Sequence, residues 1–214
     1  MKAFLVANPK GGSGKSTLAT NLAGYFASRR HDVMLGDIDR QQSARAWLGL
    51  RPFELPTIET WEIGPDDIAR PPKGTSHVVL DTPAGLHGKA LDKVLKLSTR
   101  VIVPVQPSLF DMLATRSFLD SLLEEKAVRK GRADVAVIGM RVDARTRAAG
   151  ELERFFATYD LPVLAYLRDT QVYVQAAAAG MTIFDLPRSR AERDLEQWQP
   201  IIEWAEAGMP ADKA

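Results

Sequence analysis

The chain has 214 residues, 45% hydrophobic and 26% charged, with a formal net charge of +1. That length and apolar content predict a single domain over 1–214 with one good core, and the near-zero charge excludes a global field pulling it onto nucleic acid or anionic lipid. Cysteine is absent, which excludes thiolate-held iron–sulfur clusters and fits a reducing cytoplasmic setting; no stretch approaches the ~20 apolar residues of a membrane span, and no signal peptide is read.

Residues 3–7, Ala-Phe-Leu-Val-Ala, form the first apolar run of strand length. Asn8-Pro9-Lys10-Gly11-Gly12-Ser13-Gly14-Lys15-Ser16-Thr17 follows, and a helical pattern over 15–29 places Leu18, Leu22 and Phe26 on one side. Strand, glycine-rich loop and helix in that order are the context of a phosphate-binding P-loop. The pattern G-x-x-x-x-G-K-[ST] would put its first glycine at position 9, where this chain has Pro9; Gly11, Gly12 and a second lysine, Lys10, stand beside it. Gly11, Gly12 and Gly14 let successive N–H groups turn toward one anion, with Ser13 and Thr17 in the same cradle. The following helix aims its positive end at the same point. Lys15 would reach the β- and γ-phosphates, and the Ser16 hydroxyl would ligate Mg²⁺.

Further apolar runs recur at 33–35, 78–80, 101–105, 135–140 and 163–167. They do not alternate with polar residues, as expected of strands buried on both faces. Helical patterns lie between them at 41–49, 88–97, 111–126, 148–158, 170–179 and 191–207. The alternation predicts an α/β fold: a doubly wound, mostly parallel sheet with helices on both faces and ligands at the carboxyl ends of the strands. The segment 50–76 carries five of the 13 prolines and reads as loop or short edge structure. Residues 208–214 read as a frayed end.

Three carboxylates fall at predicted strand ends. Asp81 is four residues into a buried strand counted from His77, where an ionised carboxylate needs compensation. A Mg²⁺-bound water beside Ser16 supplies it. Asp37 and Asp39, two apart, would face opposite ways. Asp37 is read as holding a Mg²⁺-bound water or coupling to a switch loop at Thr82–Gly85; for both Asp37 and Asp39, capping the next helix stays open. Arg141 ends the 135–140 strand where a base would lie, and either stacks on a purine or is an exposed arginine. Asp111 is read as a contact to ribose or to a partner subunit. The histidines at 31, 77 and 87 show no metal spacing, and the four tryptophans read as packing. Lys126, Arg129, Lys130 and Arg132 read as cations ending a helix. Arg188, Arg190 and Arg193 straddle a loop-to-helix boundary after Pro187.

Lys10-Gly11-Gly12-Ser13-Gly14-Lys15-Ser16-Thr17 resembles the deviant P-loop of the ParA/MinD ATPases. The resemblance continues through Gly36-Asp37-Ile38-Asp39-Arg40-Gln41-Gln42, Val78 to Gly85, Val103 to Ser108 and Arg168 to Glu192, so it spans nearly the whole chain and is nearest the small ParA partition proteins. It implies an ATP hydrolase with ATP and Mg²⁺ as cofactors. Lys10 would cross an ATP-dependent homodimer interface to the partner's nucleotide, and Asp39 would position the attacking water. Arg190, in the neighbourhood of Arg188 and Arg193, matches a position that binds DNA non-specifically, and Arg168 sits in a second such neighbourhood. The implied role is that of a nucleoid-associated, cytoplasmic protein that positions a plasmid, a chromosome or a protein body with a ParB-like or other cargo adaptor. No N-terminal helix-turn-helix is read. Two alternatives share the fold: a MinD-like membrane ATPase, which the short tail after Trp204 does not favour, and an ATP-dependent synthetase of the cobyrinic acid diamide or dethiobiotin type.

Overall fold

The computed structural model describes residues 1–64 and 68–207. The expected fraying of 208–214 and the end of the tail after Trp204 lie outside the described residues. Six strands form one sheet: β1 (Lys2–Val6), β2 (Val33–Asp37), β3 (His77–Asp81), β4 (Arg100–Val105), β5 (Asp134–Gly139) and β6 (Val163–Tyr166). Their order is β2-β3-β1-β4-β5-β6, and every pairing is parallel. The chain winds first to one side of β1 and then to the other. The switch point therefore lies at the carboxyl end of β1, where the glycine-rich loop begins.

Strand side chains divide strictly by parity between two cores. Phe4, Val6, Leu35, Val79, Ile102 and Ile138 pack on one face with α1 (Lys15–Ser28), α7 (Gln171–Ala178) and α8 (Arg188–Glu206). Ala3, Leu5, Met34, Leu80, Val101, Val103 and Val137 pack on the other with α3 (Gly88–Leu95), α4 (Leu109–Glu124) and α6 (Arg147–Phe156). Two apolar faces per strand explain why the sequence shows unbroken apolar runs. The longest such helix, α8, buries Trp198 completely, and its indole N–H donates to the Tyr173 hydroxyl at 2.9 Å.

The prolines of 50–76 do not prevent an edge contact. Glu59 pairs with Met34, and Leu35 donates to the Glu59 carbonyl at 2.7 Å, so this segment covers β2. Trp61 packs against Gly36, where a Cβ would lie 2.5 Å from the indole. Arg51 reaches from the same segment to Asp185 through a bidentate pair at 3.0 and 3.1 Å.

Two local expectations change. The helix expected over 111–126 starts at Leu109 and stops at Glu124, because Glu125 is extended (ψ 137°). Lys126 and Arg129 then lie in a separate turn, α5 (Lys126–Arg129), with Lys130 and Arg132 beyond it, so these cations do not end α4. His31 and His77, far apart in sequence, stack with ring centroids 4.2 Å apart beside Phe26.

Candidate nucleotide site

The loop between β1 and α1 is shaped by two glycines in left-handed geometry, Gly12 (φ 75°) and Gly14 (φ 96°). Any other residue at these positions is strained. At Gly14 a Cβ would also meet Met140 at 2.6 Å, so the end of β5 packs directly under the loop. Asn8 fastens the loop's first turn. Its amide donates to the Pro104 carbonyl at 2.7 Å and to Thr115 at 2.9 Å, while its oxygen accepts from the Lys10 N–H at 2.8 Å. Gln106 donates to the Gly12 carbonyl from the next strand end. Neither Asn8 nor Gln106 was singled out from sequence; a buried polar residue between an apolar strand and a proline was the available signal for Asn8.

The two lysines differ in kind. Lys15 is 7% exposed, and its ammonium donates to the Lys10 carbonyl at 2.8 Å. Burial lowers its pKa, against the attraction of Asp81 and Asp39. Lys10 has its backbone fixed at both ends, by Asn8 on its N–H and by Lys15 and Ser13 on its carbonyl. Its ammonium meets no acceptor among the described residues.

Asp81 ends β3 with 2% exposure. The Ser16 hydroxyl and the Thr82 N–H (3.0 Å) both hydrogen-bond its carboxylate. Burial nevertheless pushes its pKa up to about 7, helped by Asp37, its register neighbour on β2. A nearly buried carboxylate and a hydroxyl, short of positive charge, form an oxygen donor set suited to Mg²⁺. Among the described residues no group of three or more His, Asp or Glu could hold a metal by itself.

Asp37 makes the contact to the next helix that was open to it. One carboxylate oxygen accepts from the N–H groups of Ala44 (2.8 Å) and Arg45 (3.1 Å), at the start of α2 (Ser43–Leu48), and the other from the Asp39 N–H at 3.0 Å. Burial raises its pKa, and these three donors hold it down. Asp37, not Asp39, fastens the next helix. Asp39 accepts from the Gln41 N–H at 3.0 Å, in a turn beside the loop. The switch segment is tied to the loop as well, because the Gly85 N–H donates to the Pro9 carbonyl at 3.1 Å. Ser108 caps α4 by accepting from the Asp111 N–H, and its hydroxyl donates to the Asp111 carboxylate.

Beside the loop opens a cleft of about 500 Å³, lined by Gly14, Thr17, Gln106, Met140, Arg141 and the 168–171 loop. Arg141 stands at its rim, exposed and in left-handed geometry (φ 53°). Arg168 belongs to this cleft and is bound to Asp194 through two hydrogen bonds of 2.8 and 2.9 Å. Its guanidinium is therefore held by Asp194 while staying partly exposed. Arg188, Arg190 and Arg193 are exposed in the first turns of α8, and Arg190 also donates to Gln175 at 2.7 Å. Three cations at the positive end of a helix repel its dipole.

The comparisons agree with this geometry. A protein named "Maintenance of carboxysome distribution protein A" from Gloeobacter kilaueensis is 31% identical over 197 residues, covering 89% of this chain and 87% of its own. The "Chromosome-partitioning ATPase Soj" of Thermus thermophilus is 29% identical over 188 residues, covering 72% and 74%. A plasmid partition protein from Borrelia burgdorferi, solved with AMPPNP, superposes with a TM-score of 0.72 at 18% identity over 95% of this chain and 99% of its own, a likeness of fold. Residues 4–183 match the family described as the CobQ/CobB/MinD/ParA nucleotide binding domain. With its glycine cradle, buried lysine and Ser16–Asp81 pair at one sheet switch point, the chain belongs to that family.

Proposed function

We propose that this chain is a ParA-type positioning ATPase that works as an ATP-bound pair of subunits on DNA. It hydrolyses ATP with Mg²⁺. The observation that carries the pairing is the ammonium of Lys10, which meets no acceptor among the described residues, beside that of Lys15, which donates to the Lys10 carbonyl. A lysine whose backbone is built into the phosphate loop, but whose charge meets no acceptor among the described residues, suits a contact to phosphate in a second subunit.

The residue roles follow from the geometry. Gly11 to Thr17 cradle the phosphates. Lys15 neutralises them, and Ser16 with Asp81 holds Mg²⁺, which supplies Lewis-acid charge when bound. Asp39, half-buried at the loop's edge, orients the attacking water. Asp37 fixes the chain that carries Asp39. Asp81, Thr82 and the Gly85–Pro9 hydrogen bond link the phosphate loop to the switch segment. Arg141 borders the base. DNA is held without sequence preference by Arg188, Arg190 and Arg193. The similarity to proteins named for carboxysome distribution and chromosome partitioning supports a cargo recruited through a ParB-like or other adaptor, in a cytoplasmic, nucleoid-associated setting. Among the described residues no helix is long and apolar enough to cross a membrane.

The test is DNA retention against salt concentration, with ATP and with ADP, for the parent, Lys10→Ala and Arg190→Glu. Parent binding should need ATP and fall steeply with salt, because counterion release supplies the affinity. Lys10→Ala should keep ATP affinity within about threefold, since its charge lies outside its own phosphate cradle, yet lose the ATP-dependent dimer and DNA retention. Arg190→Glu should lose DNA alone. Equal weak binding in every arm removes the DNA reading, and turnover that requires a small carboxylate would make the chain a synthetase.

A further inference from the structure

The wall of the nucleotide cleft opposite the phosphate loop is formed by Arg168, Asp169, Thr170 and Gln171. The sheet barely holds this wall. β6 is an edge strand of four residues, and its pairing with β5 slips between Val137 and Ile138. The last backbone ties to neighbouring strands and loops are made by Leu167, with Gly139 and Val142. Beyond Leu167 the fastening comes from α8. The Gln197 side chain accepts from the Arg168 N–H at 3.0 Å and donates to the Tyr166 carbonyl at 2.8 Å, spanning the turn. Asp194, one turn earlier, takes both the Nε and Nη2 hydrogens of Arg168.

Asp194 is wholly buried, while the Arg168 side chain is 36% exposed. A buried carboxylate is costly, and apolar residues of similar volume often stabilise a core as well or better. The bidentate fork, however, fixes direction as well as distance. The charge on the inner face of α8 thus sets the orientation of one cleft residue.

We infer that Asp194 and Gln197 are positioning residues of the ATP site, holding Arg168 and the loop after β6 as the wall for the base and ribose. This rests on the reading that the cleft takes ATP. Neither residue touches the phosphate cradle, so their effect falls on the nucleoside end of the ligand. Arg168 accordingly serves the nucleotide rather than DNA.

The experiment compares Mg²⁺–ATP with Mg²⁺–tripolyphosphate, which has the phosphates without base or ribose. Binding is measured by calorimetry on the full chain, with ATP hydrolysis and thermal unfolding alongside. Asp194→Asn keeps the shape and removes the charge. It should raise the ATP Kd and KM about tenfold, change kcat less than twofold, and leave tripolyphosphate affinity unchanged. A merely structural role would weaken both ligands together or neither, and either result overturns the inference. If Asp194→Asn does not fold, Gln197→Leu removes the two loop hydrogen bonds with a residue of similar size, and must show the same split. A parent chain that binds tripolyphosphate as tightly as ATP would instead sink the reading of the cleft as a nucleoside site.

Discussion

Lys15→Ala is expected to abolish ATP binding, with at least a hundredfold loss of affinity by calorimetry in the presence of Mg²⁺. The ammonium is the one lysine charge inside the cradle, held by the Lys10 carbonyl and near the Asp81 and Asp39 carboxylates. To reach the phosphates it exchanges a neutral carbonyl for polyanionic oxygens, and such charge-assisted contacts are roughly twice as strong as neutral ones. No neighbour can take over. The Lys10 ammonium makes no contact among the described residues, and Arg141 is exposed at the rim of the cleft. The fold should survive the change. Burial already lowers the Lys15 pKa, so the charge is a cost to the empty protein, and the alanine variant should unfold within a few degrees of the parent. ATP affinity within threefold of the parent would remove the phosphate-binding assignment.

The sequence shows the sheet because its strands are buried on both faces, and no partner need be known to read an apolar run. It shows the phosphate loop because Gly12 and Gly14 are needed for backbone geometry, which is a local property. It is less informative where a side chain's role depends on a distant partner. Asp37 and Asp39 look alike in sequence, and only the path of the chain into α2 puts the Ala44 and Arg45 N–H groups over Asp37. Arg168 and Asp194 are 26 positions apart and each resembles a surface charge; folding α8 across the end of β6 turns them into a pair with a wholly buried carboxylate. Asn8 was hidden for the same reason, since its acceptors Pro104 and Thr115 arrive about a hundred residues later. Helix ends moved by a few residues wherever a cap such as Ser108 or Thr146 lay before the apolar pattern began.

Asp81→Asn should make the empty protein more stable and the enzyme nearly inactive. In the unfolded chain the carboxyl titrates near its ordinary value of 3.8, whereas in the fold burial raises it to about 7. Between those values the folded state binds a proton that the unfolded state does not, so the parent loses stability as pH rises from about 4 to about 7. Above about 7 both states are ionised and the full penalty remains, on the order of a few kcal/mol at ~1.4 kcal/mol per unit. Asparagine has nearly the shape of the protonated acid, can accept from Ser16 and Thr82, and does not titrate. At pH 8 without nucleotide the variant should therefore melt several degrees higher, at roughly 2–4 °C per kcal/mol for a chain of this size. The gap should close as the pH is lowered toward 5, because the parent's Asp81 is then protonated in the fold. With Mg²⁺–ATP the order should reverse. The parent gains from placing a cation beside Ser16 and Asp81, which the neutral side chain cannot match, so hydrolysis by the variant should fall by about two orders of magnitude. Thermal unfolding at pH 5 and pH 8, with and without Mg²⁺–ATP, reads both effects on one sample. A variant less stable than the parent at pH 8 would mean that Asp81 is already compensated inside the empty fold, and the case for a metal at this carboxylate would lose its physical basis.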